Sequence, residues 1–457
     1  MYKRQVPAPR SIFEHVKKLP PATVLTIDAR RPNPGDAQPV PYWSVLDSYA
    51  SDHAIHDISD ADAIDQVEQL LLDATRIRMR SDVPLGAFLS GGIDSATIVA
   101  LMQAQSDDSV RTFTIGSTSR SHNEADRAAA VASHLGTRHS ELIVTGEDAQ
   151  GLVTRLPAIY DEPFADSSQI PTLLVSELAR RDVTVSLSGD GGDEVFGGYD
   201  RYRWVPRVAA RSGMVPHSVR RFGAGAIASI PPRAWDTMTA PIPSRFRPQI
   251  PATKAAKLSA ISTLDSPEDM YRELVSHFDD PASIVIGGAE SSHSDHAMWR
   301  SDEIAARMMA RDTVTYLPDD ILVKLDRATM SVSLEGRIPL LDHRLVELMA
   351  RMPAHLKIRD GQSKWVLRRV LERHVPASLF AGPKSGFGVP IGSWLRGALR
   401  PWAEELLSTD RLSRDGYLRV EPIRTMWAEH LGRRRDWGYH LWDVLMFQAW
   451  LEAWTSA

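Results

Sequence analysis

Short runs that mix apolar with β-prone polar residues alternate along the first half of the chain with longer stretches whose apolar residues fall three and four apart. The runs at 83–89, 110–115, 139–144 and 183–187 read as strands; the first and last suit strands buried on both faces of a parallel sheet. Between them the spacing predicts helices. One starts at Ser59 as N-cap and carries Val67, Leu70, Leu71, Ala74 and Ile77 on one side. Another follows residue 95 through Ile98, Val99, Leu101 and Met102. A third spans 123–135, capped by Asn123 and closed by Gly136, with further helices around 148–160 and over 172–181. This alternation predicts an α/β fold: a doubly wound parallel sheet with right-handed crossovers and ligands at the carboxyl ends of the strands.

Beyond about Arg201 the strand signal disappears. Helical patterns follow at 209–230, 251–278, 302–312, 318–330, 344–351, 364–374 and 437–454. In the last, Trp442, Met446, Trp450 and Trp454 recur every four residues, a stripe that reads as core packing. The first 50 residues have too little apolar pattern for a core of their own. Residues 11–21 and 23–27 read as a hairpin or two edge strands, followed by a proline-rich linker at 31–41. The expected division is therefore 1–50 as a remnant of a preceding domain plus linker, 51–205 as the α/β core, and 206–457 as a mostly helical part that completes the substrate site.

Composition narrows the function. With 24% charged and 43% hydrophobic residues the chain is an ordinary globular one, and a net charge of −5 argues against coating nucleic acid. The absence of cysteine removes disulfides, thiolate metal sites and a cysteine nucleophile from this chain. No apolar run approaches the ~18–20 residues that span a bilayer, and the N-terminus lacks the apolar core of a signal peptide. The expectation is a cytoplasmic protein with neither a membrane nor a nucleic-acid partner, and a homodimer is one form open to it.

Two loops carry the chemistry. The first predicted strand runs into Ser90-Gly91-Gly92-Ile93-Asp94-Ser95 and then a helix, which aims backbone N–H groups and two hydroxyls at an anion. The strand at 183–187 runs into Ser188-Gly189-Asp190-Gly191-Gly192-Asp193-Glu194, where three carboxylates crowd a glycine loop. Two such strand ends in one sheet favour a Mg²⁺–nucleotide site over a solvated acidic turn, because carboxylates and phosphates together complete a magnesium shell. A helix N-terminus contributes only ~1–2 kcal/mol, so a triphosphate beside these carboxylates also needs lysine or arginine. Lys324, Arg327 and Lys384 are the candidates. Glu335 and Arg337 either pair with each other or contact substrate, and Asp342 either caps the next helix or contacts substrate. No HExxH spacing points to zinc, and no GxxxxGK[ST] points to a Walker nucleotide site.

Taken in order, SGGIDS, SGDGGDEVFGGY, YLPDDILVKLDRATM, EGRIPLLDH and PKSGFGVP resemble the synthetase domain of the glutamine-dependent asparagine synthetase family, within the pyrophosphate-loop ATPases. The resemblance runs from about Ser59 to the C-terminus. It implies that an acceptor carboxylate attacks the α-phosphorus of ATP, and that ammonia then displaces AMP to give an amide. It implies pyrophosphate and ATP contacts at Leu89, Ser90, Gly91, Gly92, Asp94, Ser95 and Ile115, with Ser188, Gly189 and Asp190 beside the AMP and acyl groups. Asp94 and Asp193 would hold Mg²⁺, while Lys384, Asp190 and Lys324 would be catalytic; Glu335, Arg337 and Asp342 remain substrate candidates. The family's ammonia comes from an N-terminal glutaminase domain with a cysteine nucleophile, of which residues 11–28 resemble the last strands. This chain is expected not to hydrolyse glutamine itself, and to take ammonia free or from a missing or separate glutaminase domain. Aspartate is the expected acceptor. A cell-surface sugar or β-lactam precursor as acceptor, or an inactive regulatory module, remain alternatives.

Overall fold

The computed structural model describes residues 5–28, 30, 37–49, 54–117, 124–212, 214–228, 230, 234, 238, 251–278, 280–288, 303–380 and 389–455. Its centre is a five-stranded sheet made of β1 (Leu85–Phe88), β2 (Arg111–Ser117), β3 (Arg138–Val144), β4 (Val185–Leu187) and β5 (Glu335–Arg337). The order is β3-β2-β1-β4-β5 and every neighbouring pair is parallel. The chain winds outward from β1 to β3 and then returns to place β4 on the other side of β1. The direction of winding reverses between β1 and β4, and the crevice at their carboxyl ends is the ligand position of such sheets.

Helices cover both faces. α1 (Asp60–Arg78) starts where the sequence predicts, with Ser59 Oγ accepting from Asp62 N at 3.1 Å. α2 (Ile93–Gln103) is buried from Ser95 to Met102, as expected of a helix packed on all sides. α3 (Ala125–Leu135) closes on Gly136 at φ 70°, while its expected cap, Asn123, lies outside the described residues. α4 (Gln169–Arg180) packs on β2. The sheet separates two apolar cores. Ala87, Leu89, Val185 and Leu187 join α1, α2, α9 (His343–Arg351) and α10 (Trp365–Glu372) in one; Phe113 and Ile115 join α4 and the C-terminal helix Gly438–Thr455 in the other. In that last helix Trp442, Met446 and Trp450 are buried and Trp454 is partly exposed, so the stripe is core over most of its length. No helix among the described residues is long and apolar enough to cross a membrane.

Three expectations need correction. The strand signal does not end at Arg201: Glu335–Arg337 adds β5 at the edge of the sheet, paired residue for residue with Val185–Leu187. With two charged residues around a glycine it has no apolar signature, as suits an exposed edge. The helix expected around 148–160 is broken into Gly146–Gly151, Val153–Arg155 and Leu156–Ile159, with Gly151 ending the first piece and Pro157 in the opening turn of the last. Near the N-terminus, Thr23–Val24 pairs with Val40–Pro41 in the proline-rich stretch, and the segment at 11–21 makes only an isolated bridge, Lys17 with Arg10. Phe13 instead packs edge-on against Trp450 and Trp454, at 5.8 and 5.5 Å between ring centroids.

Candidate functional site

Both glycine loops leave the sheet side by side. After β1 the ladder continues for one bond, Leu89 N donating to Phe113 O at 2.9 Å, and the chain then turns through Ser90-Gly91-Gly92 into α2. Ser95 Oγ, in the first turn of α2, accepts from Ser90 N at 2.9 Å and lies 2.9 Å from Ser90 Oγ; Gly92 N donates to Ser90 Oγ at 3.2 Å. The two hydroxyls thus fix the loop on itself. Gly92 caps α2 without a side chain. Beyond β4, Ser188 N donates to Arg337 O at 2.8 Å, Ser188 Oγ donates to Asp190 Oδ2, and the loop enters α5 (Gly192–Phe196).

The loops touch through their glycines. A Cβ on Gly189 would lie 2.5 Å from Ser95 N, and one on Gly192 would lie 2.5 Å from Asp94 Oδ1. At Gly189 the neighbour is the backbone of Asp94 and Ser95, and at Gly192 it is the Asp94 carboxylate itself, so a larger residue at either position would push the two loops apart. This close approach brings Asp94 and Asp193 together. Both carboxylates meet a single ammonium, that of Lys364, which lies 2.6 Å from Asp193 Oδ1 and is paired with Asp94 Oδ2 as well. The Lys364 side chain is only 5% exposed.

Next to this triad lies a second charged group. Lys324, in α8 (Leu322–Met330), is surrounded by Asp166, Asp190, Asp320 and Glu194. Burial alone would depress its ammonium; the four carboxylates more than offset that and raise it, so Lys324 is a fixed cation. Asp320 is fully buried in the π-helical turn Leu317–Ile321 that leads into α8. Asp166 accepts from Ser168 N and Oγ at 2.9 and 2.8 Å just before α4. Glu194 is fully buried and accepts from Tyr199 OH at 2.7 Å. Burial, reinforced by the charge of Asp193, pushes its carboxyl up to about 7.

The other predicted positions lie off the two loops. Ile115 is buried in β2, one strand away from β1. Arg327 sits at the surface, 3.1 Å from Asp161. Glu335 pairs with Arg337 at 2.7 Å, and Arg337 Nη1 also donates to the carbonyls of Arg78 and Arg80. Asp342 caps α9 through Arg344 N and pairs with Arg78 and Arg344, the structural of its two readings. Lys384 lies outside the described residues. Lys364 was not singled out from the sequence. The signal present was an Asp360-Gly361 turn just before it, a hairpin mark with no chemistry attached.

A sequence model described as asparagine synthase matches residues 66–452 of the chain. The chain belongs to the asparagine synthase family. It is 28% identical over 450 residues to the asparagine synthetase (glutamine-hydrolyzing) 1 of Bacillus subtilis, covering 97% of this chain and 66% of that protein. It is 32% identical over 454 residues to a putative asparagine synthetase (glutamine-hydrolyzing) of Mycobacterium tuberculosis, covering 97% and 65%. The amidase chyE of Penicillium rubens is 24% identical over 458 residues, with 90% and 64% covered. The chain thus spans slightly under two thirds of the length of these relatives. The α/β fold with its parallel sheet is the one the family resemblance implied.

Proposed function

We propose that this chain forms an amide from a carboxylic acid, ATP and ammonia, with aspartate as the acid. One observation carries the reading: two Ser-Gly loops at the carboxyl ends of adjacent strands, packed backbone to backbone, bring Asp94 and Asp193 to one point. Ser90, Gly91, Gly92 and Ser95 then hold the β- and γ-phosphates with Leu89 and Ile115 behind them, and Ser188, Gly189 and Asp190 flank the α-phosphate and the acyl group. The donor set fits magnesium: two converging carboxylates, with phosphate oxygens and water left to complete the shell, since no cage of three or more His, Asp or Glu exists among the described residues. The metal, when bound, neutralises charge on the departing pyrophosphate.

In the first step an acceptor carboxylate oxygen bonds to the α-phosphorus as its bond to the pyrophosphate oxygen breaks. In the second, ammonia nitrogen bonds to the acyl carbon, AMP leaves with the C–O electron pair, and a proton leaves the nitrogen. Lys324 holds the acceptor carboxylate and the negative charge that grows beside it, while Lys384 serves the phosphates. The work is positioning and electrostatics, without a protein nucleophile. Glutamine enters only through a glutaminase domain, joined or separate.

The test is to incubate the chain with ATP, Mg²⁺, ammonium chloride and aspartate and to follow AMP, pyrophosphate and asparagine. Equal amounts of all three are expected. Similarity to a protein named amidase favours a second acceptor class, so the same assay is run over a panel of other carboxylic acids. Turnover with one of these and none with aspartate would replace the acceptor; no pyrophosphate with any acid would sink the reaction.

A further inference from the structure

We propose that Lys364 is a resident cation: its ammonium occupies the divalent-ion position between Asp94 and Asp193 while no nucleotide is bound, and leaves that position when metal and triphosphate arrive together. The inference rests on reading Asp94 and Asp193 as the metal ligands. Three observations support it. First, Lys364 Nζ bridges the two carboxylates, 2.6 Å from Asp193 Oδ1, and the three side chains are 5%, 18% and 15% exposed for Lys364, Asp94 and Asp193. Two carboxylates held this close out of water need a cation, and Lys364 supplies one, with Arg368 adding positive charge near Asp94.

Second, the backbone is bent to deliver the side chain. Lys364 stands at φ 57° and ψ 39° at the cap of α10, in the left-handed region that a lysine enters at a cost. It follows the antiparallel hairpin of Ile358–Arg359 and Gln362–Ser363. That hairpin is held by Trp365 N donating to Lys357 O at 2.9 Å, Arg368 Nε donating to Ser363 O at 2.9 Å, and Arg203 donating to Gly361 O. Third, the wall opposite is cut away to make room: a Cβ on Gly198 would collide with both Lys364 Cε and Asp193 Oδ1.

A lysine stem is long enough to release the carboxylates and still reach a phosphate lying on the loop at 90–92. Metal alone would have to displace an ammonium that has nowhere better to go. Metal with a triphosphate brings the anion that receives it. The consequence is ordered entry, with the divalent ion bound weakly by the free protein and well by the protein with nucleotide.

The probe is Mn²⁺, counted by the electron paramagnetic resonance signal of the free ion, with the full chain and no nucleotide. K364M removes the competitor and is expected to bind Mn²⁺ about tenfold or more tightly than the parent chain, the gain of a site otherwise open a tenth of the time or less. With α,β-methylene ATP present, K364M is expected to bind the Mn²⁺–nucleotide more weakly than the parent. An equal or lower affinity of K364M for Mn²⁺ alone would overturn the proposal. If K364M does not fold, K364Q, which keeps a donor without the charge, takes its place with the same two outcomes. D94N and D193N separate this idea from the one beneath it. If they bind Mn²⁺ with the nucleotide analogue as the parent does, the metal reading itself falls; if they lose it while K364M shows no gain, only the resident-cation proposal falls.

Discussion

Asp342 shows how a single carboxylate divides between site and scaffold. It accepts from Arg344 N at 3.1 Å and Arg344 Nε at 2.9 Å, and from Arg78 Nη1 at 3.0 Å. Burial alone would raise its carboxyl, yet the hydrogen bonds from Arg344 and Arg78 outweigh that and hold it down to about 2. The folded value lies below the unfolded one, so the stabilisation is present above about pH 4 and is lost as the pH falls through about 2. A shift of nearly two pH units corresponds to about 2 kcal/mol. D342N is therefore expected to lose about that much stability at pH 7, read from urea unfolding, and the gap to the parent should close as the pH is lowered toward 2. A gap that stays constant with pH would mean that packing, and not charge, holds Asp342.

At the scale of elements, the hairpin that carries Lys364 turns on Asp360 and Gly361, at φ 51° and 77°. Two successive left-handed residues are what a two-residue hairpin turn requires, and Asp-Gly is a favoured pair for it. Valine at 361 would be β-branched in the left-handed region and is expected to cost about 1–3 kcal/mol. Because the strain falls on the arm that presents Lys364, G361V should weaken nucleotide binding, measured with a fluorescent ATP analogue, while circular dichroism stays that of the parent. Unchanged binding would show that the arm does not depend on its turn.

This element also marks where sequence reading stops. The loops at 90–95 and 188–194 were legible because their signal is local: a buried apolar run, then Ser-Gly, then a helix. Ser59 and Gly136 were legible for the same reason, each being a cap written in one residue. Lys364 meets Asp94 across 270 positions of sequence, and nothing near it records that meeting. Asp166, which joins Lys324 from another element, was hidden in the same way. β5 was missed because three residues on an exposed edge, two of them charged, need no apolar pattern to pair through their backbone.

Across the whole molecule, the helices that follow the sheet are tied to the site through one buried carboxylate. Asp312, fully buried in α7 (Ile304–Val314), accepts from Arg201 Nε and Nη2 at 2.9 and 2.7 Å, and from the hydroxyls of Tyr202 and Tyr271. Arg201 and Tyr202 open the helix Arg201–Ser212, and Tyr271 stands on the helix Pro267–Val275, so three helices meet at Asp312. The Arg201 guanidinium lies 3.8 Å from the ring centre of Tyr199, whose hydroxyl reaches Glu194 beside Asp193. Removing one partner strands a buried charge, so D312A and R201A are each expected to lose about 3–5 kcal/mol of stability. Replacing both by apolar residues of similar size, R201M with D312L, should recover part of that loss, because neither charge then remains to be solvated although the hydroxyls of Tyr202 and Tyr271 lose their acceptor. The same double variant separates support from positioning. If the pair only holds helices together, the recovered protein should form AMP at the parent rate. If Arg201 also sets the Tyr199–Glu194 contact behind the second glycine loop, stability returns while AMP formation stays low. The close stacking of Arg201 on Tyr199 favours that second outcome, and urea unfolding run beside the AMP assay on one preparation decides it.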